Sequence, residues 1–264
     1  MKRGFSLVEL SIVLVILGLL TGGILAGQSL IRAAELRSVS TEYSRWITAV
    51  QGFRDKYMAL PGDFRDSTRI WGRLNTNTDC VTNSASAVAS PGTCDGDGNG
   101  TIIRSNGNSQ SGEHFQFWRQ LALAGMIEGT YTGVSGTNGY WQGVSGQNIP
   151  RSKLGGVAGW TTYTAGVTTN AGSTTTYAME YGNLFLLGGS GGTADAAAAI
   201  IKPEEAWNLD TKIDDGRPGY GKVIAMYWND ACATGGAANN DLANSVYNLA
   251  ASSTSCALFF RQAF

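Results

Sequence analysis

Histidine is nearly absent from this chain of 264 residues, with His114 the only one. It falls beside Phe115 and Phe117, in a segment read below as a short helix, where a structural role is the ordinary one. None of the four cysteines, Cys80, Cys94, Cys232 and Cys256, forms a C-x-x-C pair, which speaks against zinc and dithiol redox motifs. No G-x-S-x-G elbow and no phosphate-binding loop occurs. The chain therefore reads as non-enzymatic. Charge is sparse as well: the formal net charge is −1, so no basic surface for nucleic acid is predicted.

Apolar length is what the chain does have, and it sits at the start. From Phe5 to Ala26 the polar residues are Ser6, Glu9, Ser11 and Thr21. A helix over this stretch reaches roughly 33 Å, enough to cross a hydrocarbon core of about 30 Å. Lys2 and Arg3 precede the run and the next basic residue is Arg32. The positive-inside rule thus leaves the N-terminus in the cytoplasm and the rest of the chain outside. A secretory signal peptide shares the basic start and apolar core. It would also need a small-x-small cleavage site followed by a polar mature end, and here the run passes straight into a helical pattern.

Glu9 interrupts the run. A carboxylate in hydrocarbon costs about 2.5–3.5 kcal/mol at a helix centre and less near the interface, so such a residue ordinarily has a role and a partner. The alternative is an acid tolerated at the interface. The surrounding sequence, KRGFSLVELSIVLVILGLL, resembles the class III leader and N-terminal helix of type IV pilins and of type II secretion pseudopilins. That resemblance implies cleavage by a prepilin peptidase between Gly4 and Phe5 and methylation of the new amino terminus on Phe5. It also implies pairing of Glu9 with the terminal ammonium of a neighbouring subunit, which would neutralise both charges inside a filament core. Many major pilins carry a kinking proline where this chain has Ala26. Here Gly18, Gly22, Gly23 and Gly27 stand nearby. They fit either local unwinding, at about 1 kcal/mol per glycine, or close helix packing at small-x-x-x-small spacing.

The expected fold class is α+β: a long N-terminal helix packed on an antiparallel β-sheet, with Gly/Ser/Thr-rich loops. The expected divisions are a cleaved leader at 1–4, a transmembrane and filament-core helix at 5–27, an amphipathic helix at 28–60 and an extracytoplasmic globular domain at 61–264. The amphipathic part rests on Ile31, Ala34, Val39, Tyr43, Trp46, Val50, Phe53 and Tyr57, which recur mostly at steps of three and four. Leu60-Pro61-Gly62-Asp63 should end it. Residues 72–110 read as a loop. A short helix is predicted over Glu113–Ala124, with Ser111 as N-cap and Gly125 as stop. Another is predicted over Pro203–Ile213, with Pro203 and Glu204-Glu205 in its first turn. Strands are predicted over Thr175–Leu187, Lys222–Trp228 and Ala257–Arg261. A repeat, GVSGTN from Gly133 and GVSGQN from Gly143, reads as two turns around a short strand.

The cysteines lie on the outer side, where disulfides persist. Three pairings are possible. The local pairs Cys80–Cys94 and Cys232–Cys256 close short loops, each contributing roughly 3 kcal/mol in the chain-entropy model, and Cys232–Cys256 resembles the C-terminal disulfide of pilins. Asp95-Gly-Asp97-Gly-Asn99-Gly100-Thr101-Ile102 matches the first eight positions of an EF-hand-type loop. Asp95, Asp97, Asn99 and the Thr101 carbonyl are the expected Ca²⁺ ligands. Asn106 stands where such a loop has its bidentate Glu, Glu113 is a candidate to close the shell, and a polar Asp/Gly turn is the competing reading. Asp214-Asp215-Gly216-Arg217-Pro218-Gly219 reads first as a second acidic turn.

The resemblance implies a structural subunit of a type IV pilus-like filament serving adhesion, motility or surface interaction. Its partners would be further copies of itself, the prepilin peptidase, the pilus or secretion assembly machinery and the inner membrane. The chain would span the inner membrane once, with its globular domain periplasmic, and then enter a cell-surface filament or a periplasmic pseudopilus. The alternatives are a type II secretion pseudopilin driving protein export and a membrane-anchored binding module that never polymerises.

Overall fold

One helix, α1 (Leu7–Tyr57), runs unbroken through the apolar segment and the amphipathic stripe that follows it. The computed structural model describes residues 7–74, 80, 92–104, 112–139, 141–166, 176–192, 195–226, 231–234 and 242–264. The 51 residues of α1 extend about 77 Å at the usual rise. The first half packs on nothing in the described chain, and its large apolar side chains from Leu7 to Ile31 are exposed. Its hydroxyls turn back onto their own helix: Ser11 donates to the Val8 carbonyl, Thr21 to those of Leu17 and Gly18, and Ser29 to that of Ala26. Satisfied in this way, they can lie in hydrocarbon without unpaired polar groups.

The second half buries Val39, Glu42, Trp46, Ala49, Val50 and Phe53. This is the stripe that the spacing predicts, and the helix ends before Pro61 as the punctuation requires. Gly62 has φ +84°, and a Cβ there would come within 2.4 Å of the Glu113 carbonyl oxygen. Only glycine lets the chain turn this tightly against the start of the next long helix.

Four strands follow, β1 (Ala158–Ala165), β2 (Gly182–Gly189), β3 (Val223–Ala225) and β4 (Leu258–Phe260), in one antiparallel sheet of order β1-β2-β4-β3. Together with α1 they give the α+β arrangement expected, one consistent with the pilin-like fold. Among the described residues three more helices cover the domain: α2 (Ser67–Trp71), α3 (Glu113–Leu123) and α4 (Pro203–Ile213). The core between α1, α3 and the sheet is aromatic. Trp46 meets Trp118 edge-on, Tyr43 stacks on Phe260, and Phe185 lies against Phe117, Trp118 and Trp160. Such offset and edge contacts add to the burial of large rings.

Several local expectations need correction. β1 falls in a segment for which no strand is predicted. The strand placed at Thr175–Leu187 begins only at Gly182, and Tyr177 and Tyr181 reach the core from irregular chain. The helix α2 lies within a stretch given no element. Gly112, not Ser111, is the N-cap of α3, and Ser111 lies outside the described residues. No strand joins the two halves of the repeat among the described residues. Instead the buried Asn148 ties them, donating to the Val134 and Gln142 carbonyls and accepting from Val144 N–H. Residues 227–230, part of the strand predicted over Lys222–Trp228, are outside the described residues.

Polar contacts as well as rings fix α1 to the domain. Near its exposed half, the Arg32 guanidinium makes a two-pronged bond to Glu205 in the first turn of α4, with Nε–Oε1 at 2.6 Å and the second nitrogen to Oε2 at 2.8 Å. Deeper in, the buried Glu42 carboxylate accepts from Ser152 Oγ at 2.8 Å, Lys153 N–H at 2.7 Å and Trp160 Nε1 at 2.7 Å. Truncating Glu42 would take this acceptor from the buried Ser152 and Trp160 donors and from the part-buried Lys153 N–H. We expect Glu42→Ala to lower unfolding stability by about 3 kcal/mol or more, and Glu42→Gln, which keeps one acceptor, by less. Denaturant titrations of the full-length protein in detergent micelles, followed by near-ultraviolet circular dichroism, measure both.

Candidate functional site

Three carboxylates from three separate segments meet at the end of α1 farthest from its exposed half. Asp63 comes from the loop closing α1, Asp97 from the Asp/Gly turn and Glu113 from the first position of α3. One oxygen from each lies within 4.8 Å of the others. Backbone amides frame the group. Asn99 and Gly100 N–H donate to Asp63 at 3.1 and 2.8 Å, and Asp97 and Ile103 N–H donate to Glu113 at 3.1 and 2.8 Å. A Cβ on Gly96 would fall 2.4 Å from the Asp63 backbone, so the turn reaches Asp63 only because position 96 has no side chain.

Gathering like charges in a desolvated pocket is costly, and the titration behaviour reflects it. Burial pushes the Glu113 carboxyl up to about 8, against the pull of its two amide donors and helped by repulsion from Asp63 and Asp97. Burial raises Asp63 as well, with three amides of the 98–100 turn opposing it. Oxygen-only donors are the type that a hard divalent cation takes.

The donor set differs from the linear loop. Asp97 belongs to it. Asp95 turns away and places both oxygens on α2, accepting from Ser67 Oγ at 2.9 Å, Thr68 N–H at 2.7 Å and Thr68 Oγ1 at 2.7 Å. It thereby caps a helix whose own N-cap, Asp66, makes no side-chain cap. Asn99 donates from Nδ2 to Asp97 and accepts from Thr101 N–H and hydroxyl, so both side chains brace the turn. Asn106 lies outside the described residues. Asp63 was missed because no linear spacing connects it to the Asp/Gly motif; in sequence it only follows a helix stop. Cys80 is joined to Cys94, and Cys232 to Cys256. The first bond sits directly against the turn, where Cys80 N–H also donates to the Asp95 carbonyl at 2.9 Å.

The acidic turn after α4 is a brace. Asp214 accepts from Lys222 and Val223 N–H, and Asp215 from Arg217 N–H. Behind them Asp210 is fully buried, accepting from the Tyr247 hydroxyl at 2.8 Å and from Gly216 N–H at 3.2 Å. His114 is also fully buried, and desolvation beside the Arg104 charge lowers its pKa to about 3. It is a neutral core residue.

At the other end of the molecule, Gly4 and Phe5 lie outside the described residues, and Glu9 is exposed in the first turn of α1. A model of the prokaryotic N-terminal methylation motif matches residues 1–25. The chain carries a class III prepilin leader. That leader is shared by type IV pilins and pseudopilins and precedes the long apolar helix described above. No curated protein matches the chain, and no solved structure does, so the comparison bears on the leader and the start of α1 alone. The prepilin leader points to a structural subunit that a peptidase processes for assembly into a pilus-like filament, and the apolar helix behind it is consistent with a membrane anchor.

The burial of Asp210 predicts a pH dependence. Desolvation first, with repulsion from Asp214 and Asp215 adding to it, raises its folded pKa to about 7 from an ordinary 3.8. Below the ordinary value both states hold the proton. Between about pH 4 and 7 the unfolded chain has released it while the folded chain retains it, so stability falls as pH rises, by up to about 1.4 kcal/mol per unit. Asp210→Asn should flatten this part of the profile and be the more stable protein at pH 8. Thermal melts of both proteins from pH 4 to 8 in the same detergent would show it.

Proposed function

We propose that this chain is the precursor of a subunit that polymerises through its N-terminal helix into a type IV pilus-like filament. Residues 1–4 are the leader, 5–27 the membrane and filament-core segment, 28–60 the amphipathic helix and 61–264 the outer domain, which is periplasmic before assembly. The carrying observation is the bare half of α1 behind a prepilin leader. A Cβ on Gly18, Gly22, Gly23 or Gly27 would meet no described atom within 4 Å. These glycines thus have no packing role within the subunit, while their spacing suits close approach of helices from other copies. Continuity of the helix through all four favours packing over unwinding in the isolated subunit. Cleavage at Gly4-Phe5 creates a cation about one helical turn from Glu9, and pairing of the two between subunits removes both charges from the filament core.

The test begins with the mature N-terminus. Mass spectrometry should find phenylalanine carrying one methyl group. Glu9→Leu should leave membrane insertion and folding intact and reduce filaments to the detection limit of electron microscopy. A strain in which Glu9→Leu still builds normal filaments would falsify the proposed pairing. In a deletion strain, loss of surface filaments supports the pilus, whereas intact filaments with lost protein export support a secretion pseudopilus.

We also propose that Asp63, Asp97 and Glu113 hold Ca²⁺, a role supported by their convergence and by the raised pKa values of Asp63 and Glu113. The ion would lock the end of α1, the Asp/Gly turn and the start of α3 together. Saturation at a hundredfold excess over Kd stabilises a fold by about 2.7 kcal/mol. Millimolar Ca²⁺ should therefore raise Tm by several degrees, and Asp97→Ala should abolish the rise. An unchanged Tm in the parent protein removes the site.

A further inference from the structure

Each half of the repeat ends on an asparagine, and the fold engages the two differently. Asn148 is buried, ties the halves through three hydrogen bonds and is followed by Ile149. Its counterpart Asn138 is exposed in a turn and is followed by Gly139. Gln142 holds that turn. Its Oε1 accepts from the Asn138 backbone N–H at 3.0 Å, its backbone N–H donates to the Gly139 carbonyl at 3.1 Å, and its carbonyl accepts from Gly136 N–H at 3.0 Å. Two groups are left over. Neither the Asn138 side-chain amide nor the Gly139 N–H makes a hydrogen bond among the described residues.

Those two groups are the reactants of asparagine deamidation. Once hydroxide takes the proton from the Gly139 nitrogen, that nitrogen can attack Asn138 Cγ. The N–Cγ bond forms, the Cγ–Nδ2 bond breaks, and Nδ2 leaves as ammonia with a proton regained from water, which closes a succinimide ring. A water molecule then adds to one of the two ring carbonyls and opens it. Opening at Cγ gives aspartate, and opening at the backbone carbonyl gives isoaspartate. One water is consumed, one ammonia is released and nothing is oxidised or reduced. Glycine leaves the attacking nitrogen uncrowded because it has no Cβ, whereas the branched side chain of Ile149 stands beside the corresponding nitrogen after Asn148.

The same dipeptide at Asn99-Gly100 is also exposed, but its reacting groups are held. Gly100 N–H donates to Asp63 at 2.8 Å, Asn99 Nδ2 donates to Asp97 at 2.8 Å, and Asn99 Oδ1 accepts from Thr101 N–H at 2.7 Å. Removing the Gly100 proton would also set a negative nitrogen against the Asp63 carboxylate. The remaining Asn-Gly pair, Asn106-Gly107, lies outside the described residues. We propose that Asn138 is a site of spontaneous modification by water, converting to aspartate and isoaspartate in the folded protein, while Asn99 is locked by the hydrogen bonds of its own turn. The outer domain thereby gains a negative charge at one exposed point as it ages. The groups involved all belong to the chain, so neither the filament nor a bound cation enters the argument.

The experiment keeps the full-length protein in detergent micelles for weeks in mildly alkaline buffer without added cation. Site-resolved peptide mapping by mass spectrometry follows the mass increment of amide-to-acid exchange, which isomerisation at the Asp-Gly pairs does not produce. We expect Asn138 to convert about tenfold faster than Asn99, a barrier difference of about 1.4 kcal/mol, with isoaspartate among the products at 138. In urea, with the disulfides intact, the two sites should convert at similar rates, because the bonds that hold Asn99 are gone. Gly139→Ala should slow Asn138 several-fold in the folded protein, with Tm unchanged. The comparison of the parent protein folded and in urea stands without that variant. An Asn138 that stays intact in the folded protein yet converts in urea, an Asn99 that keeps pace with it in the folded protein, or a rate at 138 untouched by Gly139→Ala would each overturn the proposal.

Discussion

A single helix must satisfy two solvents, and the outer domain is organised around that constraint. The first half of α1 exposes leucine, isoleucine and valine in every direction, which only lipid or other helices of the same kind can cover. The second half has one buried face and belongs to a water-soluble core. Between the halves the helix does not stop, so any force on the apolar rod passes along the helix itself into the stripe that packs on the domain. Glu42 and Arg32 add polar connections to that packing. Glu42 is the more demanding of the two because its carboxylate is buried and stays there only while Ser152, Lys153 and Trp160 all donate to it. Arg32 lies nearer the surface and pairs with a residue that also serves its own helix. Glu205 Oε2 accepts from the Lys202 N–H at the start of α4 as well as from Arg32, so one side chain both starts α4 and ties it to α1.

At its far end the same helix closes against acids as well as against the rings of Phe64 and Trp71. The loop that terminates α1 brings Asp63 under two amides of the Asp/Gly turn, and α3 begins with Glu113 under two more. The glycines at 62 and 96 are what allow three backbone segments to approach this closely. The disulfide Cys80–Cys94 fixes the segment leading into the turn. Amides neutralise part of the carboxylate charge, and what they leave uncompensated is what a cation would complete. The region is therefore both the stop for the long helix and a place where like charges gather with incomplete compensation.

Sequence patterns were legible where one element carried its own signal. The stripe from Val39 to Phe53, the Pro203-Glu204-Glu205 start of α4 and the leader itself are local, and each was read from neighbours in the chain. β1 was not legible, because Thr161 and Thr162 are both fully buried and a strand covered on both faces shows no alternation. Tyr177 and Tyr181 misled in the opposite sense. Their burial is real, yet irregular chain delivers it, and the strand starts one residue after Tyr181. The carboxylate cluster divides in the same way. Asp97 was legible from the turn motif, whereas Asp63 joins it only through tertiary folding, and Asp95 fits the motif but is claimed by the uncapped start of α2.

That last competition explains why a motif can be present without the geometry it usually specifies. An EF-hand loop curls because its side chains have no better partner than the ion. Here Ser67 and Thr68 offer Asp95 three hydrogen-bond donors at 2.7–2.9 Å, available whether or not a cation is present, and a short helix gains the cap it otherwise lacks. With Asp95 engaged, the turn's remaining acid faces outward from its own loop toward Asp63 and Glu113. The consequence is that the cluster spans three segments of the fold rather than one, so a cation held there would act on the junction between α1 and the domain and not on a surface loop alone.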